Sequence, residues 1–319
     1  MKNYLFLSCL ILALATGSNA QELPLVLEKH GTFEILSRTD YTMPYFGFTK
    51  AEMTANLQKI IDVVNTIRRN PVLTEMKGFD GRARIYTVST KDNESYGVPS
   101  RISFEFAAWY RLKDGREVRG LIEPPEWSLI INKLVPGGGF SSDRFSTKPD
   151  FFTIPVKKET IEPGIDVYDG ECYVIYNPNR PDYWLPVTVK EAFDVVFAEN
   201  KKMTDQIQRE FMLTYLNPEW EAIPKEDWNK PATFSGMASR VGTDPSFPPI
   251  MKVNPLYWDK SLPKSAIQFI NFRMINNRPF LKSNTAEYLQ KNSISYHEAR
   301  FEESLDLNFV KSLVPLIGK

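Results

Sequence analysis

Apolar residues at Met53, Leu57, Ile60, Ile61, Val64 and Ile67 recur at the spacing of one helical face. Thr49 and Glu52 open that stretch three residues apart, where a hydroxyl and a carboxylate each take up the other's free backbone N–H. Arg68 and Arg69 follow at the end where the helix dipole favours cations, and Pro71 is expected to stop the helix. A second stripe, Phe193, Val196, Phe197, Met203, Ile207 and Phe211, predicts another long helix. It starts at Thr188, with Glu191 as capping partner, and is expected to end at Asn217 and Pro218. The matching starts and stops suggest a weak internal duplication, although both signals are common in unrelated helices.

Between the helices the period drops to two. Ile102, Phe104, Phe106, Ala108, Tyr110 and Leu112 alternate with Ser103, Glu105 and Arg111, which predicts a long strand with one buried face. Asp114-Gly115 and Asp169-Gly170 are hairpin signals, because both residues tolerate the positive φ of a tight turn. Shorter strands are predicted within 31–38, 82–89, 151–157, 183–189 and 265–275. Helices are predicted in 283–291, capped by Asn284 and Glu287, and in 305–317. Residues 218–263 carry eight prolines and three tryptophans and read as one long irregular wrap over the body. The fold expected is α+β: antiparallel sheet packed against two long amphipathic helices, with that Pro/Trp-rich loop. A polar stretch places a boundary near residue 160, between an N-terminal half (21–160) and a C-terminal half (161–319), separate or docked as one unit.

Composition narrows the setting. The 319 residues are 42% hydrophobic and 24% charged, a globular balance. Lys+Arg and Asp+Glu are equal at 39, so no basic excess points to nucleic acid or an anionic membrane. Lys2, the apolar run Leu5 to Ala15 broken only by Ser8, and Ser18-Asn19-Ala20 read as a signal peptide over 1–20, cleaved after Ala20. The mature protein is therefore expected to be secreted or periplasmic, with no transmembrane segment after cleavage. Cys9 leaves with the leader. Cys172 then stands alone, and no intramolecular disulfide can form.

Candidate chemistry is sparse. In residues 120–140, Glu123 and Glu126 flank a double proline and resemble the paired acids of glycoside hydrolysis, although acids this close are common on surfaces. Trp127, Ile130, Ile131 and Leu134 predict a short helix after Pro125, so Gly137, Gly138 and Gly139 fall behind it. A phosphate cradle needs glycines before a helix, so this is a stop signal. The only histidines, His30 and His297, form no zinc motif, and no metal or cofactor is expected. Cys172 alternates with Tyr173 and reads as a small buried hydrophobe, not a nucleophile. Trp220, Trp228, Tyr257 and Trp258 lie near acids in the wrap, as sugar-stacking rings do; the competing reading is that they pin an irregular loop to the core. The function expected is a non-enzymatic binding or structural accessory protein of the cell envelope, with a glycan, peptide or envelope protein as partner. The alternative is a glycan-acting hydrolase working through paired carboxylates.

Overall fold

The computed structural model describes residues 24–38, 47–87, 96–120, 126–134, 143–145, 151–235, 240–274 and 296–319. The expected leader (1–20), Glu123, the three consecutive glycines and the 283–291 helix lie outside the described residues. The architecture is mixed α+β, dominated by antiparallel pairing.

A nine-stranded sheet forms the backbone of the fold. Its order is β1 (Phe33–Arg38), β2 (Phe79–Thr87), β3 (Ser100–Arg111), β5 (Glu126–Ile131), β15 (Phe269–Arg273), β10 (Cys172–Tyr176), β9 (Ile165–Tyr168) and β8 (Lys157–Glu162). The short β4 (Glu117–Arg119) pairs with β3 after a turn in which Gly115 adopts φ 84°. Only β1 and β2 run parallel among these pairs. A parallel pair needs a crossover, and helix α1 (Lys50–Ile67) with the short α2 (Pro71–Thr74) supplies it. The Thr49–Glu52 capping box forms at the start of α1. Pro71 does not stop this helix. Arg68 caps it, and Pro71 opens α2 with Asn70 as N-cap, the position where a missing N–H costs least.

One face of the sheet is covered by helices. Ile60, Val63, Val64 and Ile67 of α1 share a core with Ala83, Ile85, Ile102 and Phe104. Phe301 of α5 (Tyr296–Ser304) and Val310 and Leu313 of α6 (Leu307–Leu313) close it. The predicted helix after Pro125 is instead strand β5. Trp127, Leu129 and Ile131 face the helical core with period two, while Ile130 is buried on the other face. An apolar run buried on both sides carries no decisive period, which is why helical spacing was satisfied by accident.

On the opposite face, β15, β10 and β9 pack against a four-stranded sheet. Its order is β11 (Trp184–Pro186), β14 (Ile250–Val253), β7 (Phe151–Thr153) and β6 (Asp143–Arg144). Phe269, Val174, Cys172 and Tyr168 meet Phe152, Trp184, Tyr257 and Trp258 in this second core. A third core lies between this smaller sheet and helix α3 (Val189–Lys202), built on Phe151, Val187, Phe193 and Ile250. Residue 160 falls inside β8, and the large sheet takes strands from both sides of it.

The expected second long helix is two helices. After its Thr188–Glu191 capping box, α3 ends at Met203, and Asp205 caps α4 (Gln206–Glu221) by accepting from the Gln208 N–H. Asn217 and Pro218 lie within α4, not at its end. Ile207, Phe211 and Tyr215 of the predicted stripe region are 81%, 57% and 55% exposed, because the break turns them away from the core. The wrap is also not one long loop. It contains a 3-10 turn (Lys225–Asp227), the pair β12 (Thr233–Ser235) and β13 (Arg240–Gly242), and β14. None of the helices described is long and apolar enough to cross a membrane.

Arg180 holds the turn that buries Tyr257 and Trp258. Its guanidinium donates to the carbonyls of Leu256 (2.9 Å), Tyr257 (2.7 Å) and Trp258 (2.7 Å). Arg180→Ala should cost about 2–3 kcal/mol, since charge-assisted bonds are lost and semi-buried carbonyls go unpaired. Denaturant unfolding checks this. A midpoint unchanged from wild type would show that water replaces the guanidinium without loss.

Candidate functional site

The half of the large sheet nearest β1 carries a ladder of charge. Glu34, Arg82, Glu105 and Glu126 lie in register across β1, β2, β3 and β5. Arg82 pairs with Glu34 at 2.6 Å, and Glu105 sits between Arg82 (3.5 Å) and Arg84. Arg101 holds Glu126, and Arg119 holds Asp80 at 3.0 Å. Burial pushes the Asp80 carboxyl up, but the Thr32 N–H and the Arg119 guanidinium outweigh it and keep it below the usual range. The small hollow here is lined by these mutually paired groups. The candidate acid Glu126 is thus one rung of an ion-pair ladder; its expected partner Glu123 is not among the described residues.

The four aromatic candidates are divided between two places. Tyr257 and Trp258 are 0% and 3% exposed in the second core, with the Tyr257 hydroxyl donating to the Gln268 carbonyl at 2.5 Å. Trp220 and Trp228 stack on each other, centroids 4.6 Å apart at 24°, and Trp220 leans on Phe193 at 5.1 Å. Both members of that stack are half-buried. Trp228→Ala should therefore destabilise by about 2 kcal/mol, short of the 3–5 typical of a fully buried aromatic. Unchanged stability together with lost affinity for a glycan would mark the stack as a binding face.

Sequence reasoning missed a buried polar hub. Asp166, 2% exposed, accepts from Tyr183 (2.6 Å), Thr160 (2.7 Å) and Tyr176 (3.3 Å), and pairs with Lys157 at 2.8 Å. Because Tyr183 gives its proton to Asp166, the 2.6 Å contact between the Tyr168 and Tyr183 hydroxyls must have Tyr168 as donor. Burial first, then the Asp166 charge, pushes the Tyr176 phenol up to about 12, and burial raises Tyr168 and Tyr183 as well. All three stay protonated as donors, so the hub staples β8, β9 and β10 to the Tyr183 segment.

A second missed feature is a cleft of about 360 Å³ between α2, α5 and the start of β2. Asn70 and Ser304 exchange hydrogen bonds of 2.8 and 3.1 Å and fix the two helices beside it. Val72 and Phe79 give the cleft apolar wall, and Glu75, Lys77, Tyr296, His297 and Arg300 give it polar groups. The His297 ring lies against Phe79 (4.7 Å) and Tyr296 (5.1 Å), and His297 is only 3% exposed. Its Nε2 is buried and has no hydrogen-bond partner among the described residues. Arg300 donates to the Tyr296 hydroxyl at 3.2 Å. Among the described residues Glu75, Lys77 and Arg300 form no ion pair, unlike the arginines of the ladder. The pairing of His297 with Phe301, one turn apart and both buried, was the available sequence signal.

Burial, reinforced by Arg300, lowers the His297 pKa to about 4 from 6.5, against an opposing hydrogen bond to the Gly78 backbone. The unfolded chain therefore takes up a proton that the folded protein refuses. Stability is intact above pH 6.5, falls as pH drops toward 4, and levels off below that. The loss between pH 7 and pH 5 should be about 2 kcal/mol. Chemical unfolding of wild type and His297→Leu at both pH values checks this: the variant should lose that part of the slope.

Among the described residues no group of three or more His, Cys, Asp or Glu is placed to hold a metal ion. Comparison with protein-family models, curated proteins and solved structures finds no match.

Proposed function

We propose that this chain is an exported, non-enzymatic binding protein of the cell envelope, secreted or periplasmic, and that the cleft beside His297 is its binding site. The observation that carries this reading is the contrast in charge pairing. On the sheet ladder Arg82, Arg84, Arg101 and Arg119 are each matched to an acid. At the cleft Lys77, Arg300 and Glu75 ring a concavity and have no such partners among the described residues. Convergent unsatisfied polar groups on an apolar wall are what a ligand site supplies.

The glycan-hydrolase reading has less support, because it needs two free carboxylates across a substrate and Glu126 is bound to Arg101. Export is supported by Lys2, the apolar run after it and Ser18-Asn19-Ala20. Intact-mass analysis of the exported protein should then find a chain beginning at Gln21; a chain retaining Met1 would refute export with cleavage. Binding is tested by amide exchange on the mature protein against a broad panel of small metabolites. A ligand of this site should slow exchange in α2 and α5 and be recovered chemically unchanged. A panel without any such protection would defeat the binding reading.

A further inference from the structure

The ligand class can be read from the charges and the apolar wall of the same cleft, an inference that rests on the binding reading above. Lys77 and Arg300 outnumber Glu75 by one charge, and neither cation has an acidic partner among the described residues. That balance suits a monoanion, and Glu75 works against a dianion such as phosphate. Phe79 and Val72 offer an apolar wall for the rest of the molecule. The volume, about 360 Å³, lies at the small end of the range for small-molecule sites.

We propose that the cleft between α2 and α5 binds a small organic monocarboxylate that has an apolar body, with Lys77 and Arg300 on the carboxylate and Val72 and Phe79 against the body. Lys77 and Arg300 are exposed, so replacing them spares the fold.

The experiment uses the full mature chain and four probes, with binding followed by calorimetry and by amide exchange in α2 and α5. The probes are 4-hydroxyphenylacetate, phenylacetate, tyramine and inorganic phosphate. The proposal expects saturable binding of both 4-hydroxyphenylacetate and phenylacetate, and none of tyramine, which reverses the charge. Lys77→Gln and Arg300→Gln should each weaken the hydroxy-carboxylate by about tenfold. Equal binding of tyramine or phosphate overturns the monocarboxylate assignment, as does affinity that survives both substitutions. A cleft that ignores all four probes yet is protected by another member of the metabolite panel also overturns it, while the binding reading stands. A cleft protected by nothing removes both.

Discussion

Strand β15 is the element on which the rest of the structure depends. Phe269–Arg273 arrives late in the chain and inserts between β5 and β10, pairing antiparallel with both. Its alternation serves two cores at once: Ile270 and Phe272 point into the helical core, and Phe269 into the core beneath the smaller sheet. Without it the early strands β1, β2, β3 and β5 have an open edge, and the hairpin of β9 and β10 has no sheet to join. An open edge exposes a row of unpaired N–H and C=O groups, so β15 closes both at once. The cost is paid in sequence distance, since the pairing of Ile270 with Ile131 must close a loop of well over a hundred residues before it is rewarded.

That topology also explains where charge can lie. Asp166 on β9 is 2% exposed, so it must be fully bonded, and Tyr183, Thr160, Tyr176 and Lys157 bond it. In the half of the sheet nearest β1 the charges are paired by the cross-strand ladder through Arg82 and Glu105. The cleft at α2 and α5 differs from these two regions in that Lys77 and Arg300 have no acidic partner among the described residues. It sits where the crossover helices meet the start of β2, at the seam between helical cover and sheet.

The sequence was legible where local chemistry had a single consistent solution. Both Thr-x-x-Glu capping boxes form, because cap and carboxylate are only three residues apart and need nothing from the rest of the chain. The strand expected from Ile102 to Leu112 forms as Ser100–Arg111, although Ser103 and Glu105 of its polar set are buried too, and Cys172 is buried on a hairpin strand. Legibility failed where tertiary contact decides. Trp127 to Leu134 fits a helical template, yet the demand for a strand between β3 and β15 overrides it. The stripe through Met203, Ile207 and Phe211 looks continuous, but Asp205 offers a stronger local cap and restarts the helix with those rings outward. At the site, Glu126 was visible as a residue, but its cross-strand partner Arg101 lies 25 positions earlier and no local pattern announces the pairing. His297 was visible only as a histidine; its burial against Phe79 depends on a contact more than two hundred residues away.

The remaining constraint is how irregular segments stay ordered without covalent staples. Residues 21–319 contain one cysteine, Cys172, so no disulfide within them can tie the 218–263 stretch to the body. Arg180 takes that role at one point by clamping three successive carbonyls, and it does so from outside the stretch it orders. Gln268 serves at another, receiving the Asp259 N–H at 2.8 Å and donating to the Asp259 carbonyl at 3.1 Å. Its own backbone N–H goes to the Asn132 side chain at 2.8 Å, and Asn132, buried at φ 53°, donates in turn to the Val98 and Ala266 carbonyls. A non-glycine residue in that left-handed conformation is disfavoured, and asparagine is among the side chains that tolerate it best. Asn132 therefore joins the end of β5 to the entry of β15 and, through Gln268, to the turn that carries Tyr257 and Trp258. The turn at Tyr257 and Trp258 is ordered by the same strand junction that completes the sheet, which makes Trp258 part of the closure, while Trp220 and Trp228 stack apart from it against Phe193.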